Sequence, residues 1–237
     1  MRPINPSNGT GLITIVFVRP IMEINTGSTK VSAAERFRER TSQFIISLNE
    51  WLKEECNERL IPCIDLYSIF GSPDRKDLLD PRVSLGDNAH LNLDGHRRLA
   101  EAYLSGYFTR DTDFSVVVCL GDSHTQGYPL RDTERNGSPV DINTDSPNQY
   151  PFWMVKATGK TFINRGIAGN TYYGMTKRFD MEVLPHLPDH CIIQGGNNDA
   201  LLGTPLEETK GDIIWLLERC VQNNITPVAS TTVQLGF

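Results

Sequence analysis

The chain has 237 residues, 39% of them apolar and 22% charged, which is ordinary for a soluble globular protein of one large domain or two small ones. Its net charge of −6 and lack of any clustered Lys/Arg run count against a nucleic-acid surface. The longest apolar runs, at 12–18 and 116–120, are far too short to span a bilayer, so no membrane partner is expected.

In chain order, the opening Met1-Arg-Pro-Ile-Asn-Pro-Ser-Asn lacks the apolar core of a signal peptide, and a cytoplasmic protein is expected. Residues 12–18 are β-branched and apolar and read as a buried strand. Residues 32–60 are helical in period, with Phe37, Phe44, Ile45, Leu48, Trp51 and Leu52 recurring three, four and seven apart. Residues 62–70 read as the next strand, 71–85 as a polar loop and 94–103 as a helix. A connector at 106–113 leads into a strand at 115–120. The stretch 128–150, rich in Pro, Asn and Asp, reads as a loop. A helix at 151–158, strands at 161–164 and 191–194, a helix at 206–223 and a strand at 225–233 complete the chain. Strands alternating with helices imply a parallel sheet covered on both faces, with ligands at the carboxyl ends of the strands.

Four polar motifs each follow a strand or the loop after one. Gly121-Asp-Ser123-His-Thr-Gln-Gly127 places a hydroxyl on a tight turn, where a nucleophile is exposed and its own N–H can face an oxyanion. Asn164-Arg-Gly166-Ile-Ala-Gly169-Asn-Thr171 carries two glycines that allow close backbone approach to a ligand. Gly195-Gly196-Asn197-Asn198-Asp199 offers a side-chain amide as an oxyanion donor. Asp87-Asn-Ala-His90 sets a carboxylate three residues before a histidine, close enough to bond Nδ1–H and leave Nε2 free. Taken singly, each motif also reads as turn chemistry, which is the favoured reading for the Ser123 and Asp87–His90 pieces on their own. His96 and His124 compete with His90 for the role of base; His96 falls inside the following helix, and His124 is expected to point away from Ser123. The five cysteines, among them Cys119 and Cys191 in strand-like runs, read as small buried hydrophobes. Neither CxxC nor HExxH occurs, so no metal is expected.

Together the four motifs resemble those of the SGNH-hydrolase superfamily, the GDSL esterase/lipase family. The resemblance covers nearly the whole chain after about residue 12. It implies a three-layer α/β/α sandwich of the flavodoxin-like kind, with a mainly parallel sheet of about five to six strands. It also implies catalytic Ser123, His90 and Asp87, with oxyanion donors from Ser123, Gly169 and Asn198. The chain departs from the family in having His124 where Leu is frequent and Leu91 where Pro is common. The larger departure is order. The family runs Ser, Gly, Asn, Asp-His, whereas this chain runs Asp-His, Ser, Gly, Asn. That order implies one circularly permuted domain over 1–237, with 1–108 equivalent to the family's C-terminal part and 114–237 to its N-terminal part. The eight residues of 106–113 can bridge about 25 Å when extended. Residues 12–18 and 225–233 both correspond to the family's fourth strand, so the sheet gains a strand, one copy is displaced, or two chains exchange halves.

The expected function is hydrolysis of small acyl or acetyl esters, including those of carbohydrates, through an acyl-enzyme and without a cofactor. An acyltransferase acting on a sugar hydroxyl, a lysophospholipase and a thioesterase share the constellation, and a non-catalytic binding module is the outlying alternative. Tyr128, Tyr172 and Tyr173 are expected substrate contacts, within the segments 128–150 and 171–178. The expected partners are a small-molecule ester and, in one arrangement, a second copy of the chain in a homodimer.

Overall fold

The computed structural model describes residues 32–75, 78–87, 89–129 and 146–235. Its strands are β1 (Cys63–Ile64), β2 (Val116–Gly121), β3 (Thr161–Gly166), β4 (His190–Gln194) and β5 (Thr226–Ser230). They form one parallel sheet in the order β1-β5-β4-β2-β3. Numbered from β2 onward, this is the doubly wound order 2-1-3-4-5, whose switch point lies between β2 and β4. The expected strand at 12–18 lies outside the described residues.

The helices are α1 (Ala33–Glu58), α2 (Leu66–Phe70), α3 (Leu93–Gly106), α4 (Ser123–Gln126), α5 (Tyr150–Thr158), α6 (Tyr172–Glu182), α7 (Asn197–Leu202) and α8 (Leu206–Gln222). The helix α1 starts at a capping box: Ser32 Oγ accepts the Glu35 N–H at 3.1 Å, and the Glu35 carboxylate accepts the Ser32 N–H at 2.7 Å. Successive strand residues point to opposite faces of the sheet. Val117 and Cys119, with Phe162, Ile192 and Val228, pack against Leu99 and Tyr103 of α3 and Met154 of α5. Val118, Leu120, Cys191 and Ile193 pack against α1, α6 and α8 through Leu48, Phe179 and Leu216. The result is three layers with both sheet faces covered. Among the described residues, no helix is long and apolar enough to cross a membrane.

Three elements differ from expectation. Of 62–70 only Cys63–Ile64 is strand, because the Asp65 side chain accepts the Ser68 N–H and starts α2. At the end of 225–233 the chain leaves the sheet after Ser230. There Thr232 N–H donates to Asn49 Oδ1 at 2.7 Å, and Asn49 Nδ2 returns a bond to Thr232 O at 3.0 Å. Of residues 171–178, read from sequence as substrate-facing, Thr171 caps α6 and the rest belong to it. Its signal was the spacing of Tyr172, Met175 and Phe179, all of which are buried.

This layering predicts how truncations differ in cost. Leu120→Ala, in the sheet core, should lose about 2–5 kcal/mol. Leu202→Ala, on the surface, should stay within about 0.5 kcal/mol. Denaturant unfolding measures both; equal losses would contradict the placement of Leu120.

Candidate active site

The carboxyl end of β2 runs into a turn that is held on every side. Asp122 caps α4, its Oδ1 accepting the His124 N–H at 2.9 Å, and Ser123 stands at the first helical position. The Thr125 carbonyl accepts Asn164 Nδ2 at 2.7 Å, and Thr125 Oγ1 donates to Gln194 Oε1 at 3.1 Å. These bonds tie the turn to the ends of β3 and β4. Gly166 lies flat against the Thr125–Gln126 backbone, where any Cβ would overlap main-chain atoms.

The loop after β3 is fastened to the same turn. Ile167 N–H donates to Gly121 O at 3.0 Å, and Ala168 N–H donates to Gln126 Oε1 at 2.6 Å. Gly169 follows at φ +79°, in open space, so backbone conformation rather than crowding calls for glycine there. Asn198 Nδ2 donates to Asn170 O at 3.0 Å, which joins the loop after β4 to the loop after β3. An amide nitrogen carries two hydrogens, so one remains for a ligand. Among the described residues, neither the Ser123 N–H nor the Gly169 N–H donates a hydrogen bond. Unused donors of this kind are what an oxyanion requires.

Asp87 and His90 sit on a hairpin-like loop. Leu85 N–H donates to His90 O at 2.9 Å, and Ser84 bridges Leu91 in antiparallel fashion. Asn92 fastens the base, its Nδ2 donating to Arg82 O and Ser84 O while its Oδ1 accepts the Gly95 N–H that opens α3. Asp80, fully buried, receives Arg82 and Arg98, and the Arg82 bonds are the main reason its carboxyl is held down at about 2. On this loop Asp87 Oδ2 lies 2.6 Å from His90 Nδ1, and Asp87 Oδ1 accepts the His90 and Ala89 N–H groups. Burial pushes the Asp87 carboxyl up, but the three bonds from His90 and Ala89 outweigh it and leave the pKa below the ordinary carboxylate range.

The two halves of the chain meet here. The His90 ring stands edge-on to Tyr128, with centroids 5.0 Å apart, and 6.2 Å from the His124 ring. His124 Nε2 lies 2.8 Å from Ala89 O. His90 is thereby set beside the turn that carries Ser123. A hydrogen bond between Ser123 Oγ and His90 Nε2 is not among those the described residues form. His96 is fully buried in α3, where desolvation pushes its pKa down to about 3 and leaves it neutral. His124 is buried, with its ring turned toward the Asp87–His90 loop.

Of the expected substrate contacts, Tyr128 and Tyr173 are 39% and 56% exposed. Tyr172 requires correction. It is 1% exposed and packs beneath Gly195 among core residues, because α6 turns its ring inward. Residues 130–145 of the expected substrate loop lie outside the described residues. Sequence reasoning missed the part played by Arg178. This buried guanidinium donates to Gly121 O at 2.9 Å, Arg165 O at 2.8 Å and Asn170 Oδ1 at 2.8 Å, and is paired with Glu182. Its Arg-x-x-x-Glu spacing on a helix was the available signal. Among the described residues, no group of three or more His, Cys, Asp or Glu is placed to hold a metal ion.

Comparison with known proteins gives the following. Residues 119–236 match the GDSL-like Lipase/Acylhydrolase family. The uncharacterized lipoprotein YqeF of Bacillus subtilis (strain 168) is 25% identical over 130 residues, covering 52% of this chain and 50% of that protein. A solved structure from Desulfitobacterium hafniense, assigned to the G-D-S-L lipolytic family, is 28% identical, with a TM-score of 0.41. That match covers 50% of this chain and 59% of the other. The psychrotrophic esterase EstA from Pseudoalteromonas sp. is 23% identical over 48% of this chain and 58% of its own, with a TM-score of 0.39. The chain thus spans 50–59% of the length of these relatives.

Asp199 supplies a pH test of the site's floor. Burial, reinforced by Asp122 and Asp212, pushes its pKa up to about 7, although its carboxyl accepts the Tyr172 N–H at 3.3 Å. A raised folded-state pKa contributes stability below the unfolded value of about 3.9, and that contribution is lost as pH climbs to about 7. Asp199→Asn should therefore leave Tm unchanged near pH 4 and raise it increasingly toward pH 8, by about 2–4 °C for each kcal/mol. A Tm difference that is the same at pH 4 and pH 8 would show that Asp199 does not titrate in this way.

Proposed function

The chain belongs, through residues 119–236, to the GDSL-like lipase/acylhydrolase family, and we propose that it is a serine hydrolase of small carboxylic esters. The observation that carries this reading is the 2.6 Å bond between Asp87 Oδ2 and His90 Nδ1, on a loop that seats the His90 ring against residues flanking Ser123. Ser123 Oγ attacks the acyl carbonyl. His90 Nε2 takes the hydroxyl proton and delivers it to the leaving alcohol. Asp87 holds the imidazole in the tautomer with Nδ1 protonated and stabilises the imidazolium as it forms. The N–H groups of Ser123 and Gly169, with the Asn198 amide, receive the charge that develops on the carbonyl oxygen. Water, activated by His90, then releases the acid. This chemistry needs no cofactor.

Acetyl and short acyl esters, carbohydrate esters among them, are the proposed substrates, with Tyr128 and Tyr173 as contacts at the rim. We also read the chain as carrying the family order in rotated form, within one domain. The doubly wound order that emerges when numbering starts at β2 supports this. For location we propose the cytoplasm, supported by five free thiols. The lipoprotein name of the Bacillus relative favours membrane attachment instead, and cell fractionation distinguishes the two.

A chromogenic-ester panel of graded acyl length, run with and without an acceptor sugar, tests the function and separates hydrolysis from transfer. Ser123→Ala and His90→Ala should each lower turnover by about 10⁴-fold or more, and the double variant should be little worse. Asn198→Ala should cost about 10²–10³-fold. Full activity in Ser123→Ala would end the hydrolase reading.

A further inference from the structure

His124 is buried, 2% exposed, and its imidazole spans the junction between the two halves of the chain. Its Nε2 lies 2.8 Å from Ala89 O, the carbonyl immediately before His90. A carbonyl oxygen only accepts, so Nε2 carries the proton. The opposite ring nitrogen, Nδ1, lies 3.4 Å from Asp122 Oδ1, the same oxygen that accepts the His124 backbone N–H. Nε2 is thus hydrogen-bonded, while Nδ1 makes no hydrogen bond and only faces the Asp122 carboxylate. One end faces the cap of the nucleophile turn and the other faces the loop that carries Asp87 and His90.

That loop has its own bracing at its base, through Asn92 and Asp80, and at its tip, through the Asp87 bonds. Those bonds are all internal to residues 80–98. They shape the loop but do not set its distance from Ser123. The bond from His124 to Ala89 O does connect the loop directly to the nucleophile turn. We infer that His124 is a positioning residue: its Nε2–H clamps the Ala89 carbonyl and so holds His90 at working distance from Ser123. This inference rests on the proposed serine-hydrolase reading for its kinetic consequence, but the clamp itself is a property of the fold. A misplacement of about 1 Å in a catalytic group can cost 10²-fold in rate.

The test compares three substitutions. His124→Leu fills the volume with no donor. His124→Gln places an amide N–H near the position of Nε2. His124→Asn retains an amide but is too short to reach Ala89 O. Two readouts are taken: steady-state ester kinetics, and native-state hydrogen exchange at the Ala89 and His90 amides. His124→Leu and His124→Asn should lower kcat by about 10–10²-fold with KM within about twofold, and speed exchange at both amides by about tenfold. His124→Gln should recover most of kcat and the slow exchange. Equal behaviour of the Gln and Asn variants would overturn the clamp, as would wild-type exchange in His124→Leu. If His124→Leu fails to fold, the Gln and Asn pair decides the question. If Ser123→Ala leaves turnover intact, the hydrolase reading fails, and the exchange data still judge the clamp.

Discussion

The site depends on one close approach, that of Gly166 to the backbone of Thr125 and Gln126. With no side chain at this point, the turn after β2 lies directly on the end of β3. The Thr125 carbonyl then comes within reach of Asn164, and Gln126 within reach of the Ala168 N–H. Because β2 and β3 are parallel and in register from Val116↔Thr161 to Gly121↔Gly166, both strands release their loops at the same edge. β4 joins them there with Gly121 opposite Gln194. A parallel sheet gathers the carboxyl ends of non-adjacent segments, and the doubly wound order opens a crevice between β2 and β4 where the loops diverge. Ser123 and Asn198 follow those two strands.

The junction is rich in buried polar groups, each requiring a partner to offset lost hydration. Arg178 shows the cost and its compensation. Burial works against its charge, while Glu182 and three oxygen acceptors from Gly121, Arg165 and Asn170 hold it in place. In doing so it fixes the carbonyl ends of β2 and β3 relative to the Asn170 loop. Asp80 does the same on the other half of the chain, where two guanidiniums surround its carboxylate. These ion pairs lie apart from the Asp87–His90 pair and Ser123, and their effect is geometric. The first orients the loop that carries Gly169 and Asn170, and the second shapes the loop that carries Asp87 and His90.

Much of this was legible along the chain. Apolar periodicity located α1, α8 and the central strands, since a half-buried helix and a strand buried on both faces impose different spacings. The Asp87–His90 pairing was readable because three residues within one tight loop bring a carboxylate to Nδ1 without help from the rest of the fold. Gly166 and Gly169 were visible as permissive positions, although not why each is needed. Tyr172 was misplaced because exposure belongs to a helix face, and the helix itself went unread. The 62–70 segment was misread because Asp65 capping ended the strand early.

The sequence by itself determined which chemical groups are present and which local bonds they make, because those depend on separations of a few residues. It also determined that strands and helices alternate, which requires a covered parallel sheet. Tertiary structure alone decided how the blocks meet. The contacts of His124 with Ala89, Asn164 with Thr125 and Arg178 with Gly121 join residues 35, 39 and 57 positions apart. No local pattern records such partners. They follow from strand order and register, which are set by the packing of two whole sheet faces against their helices.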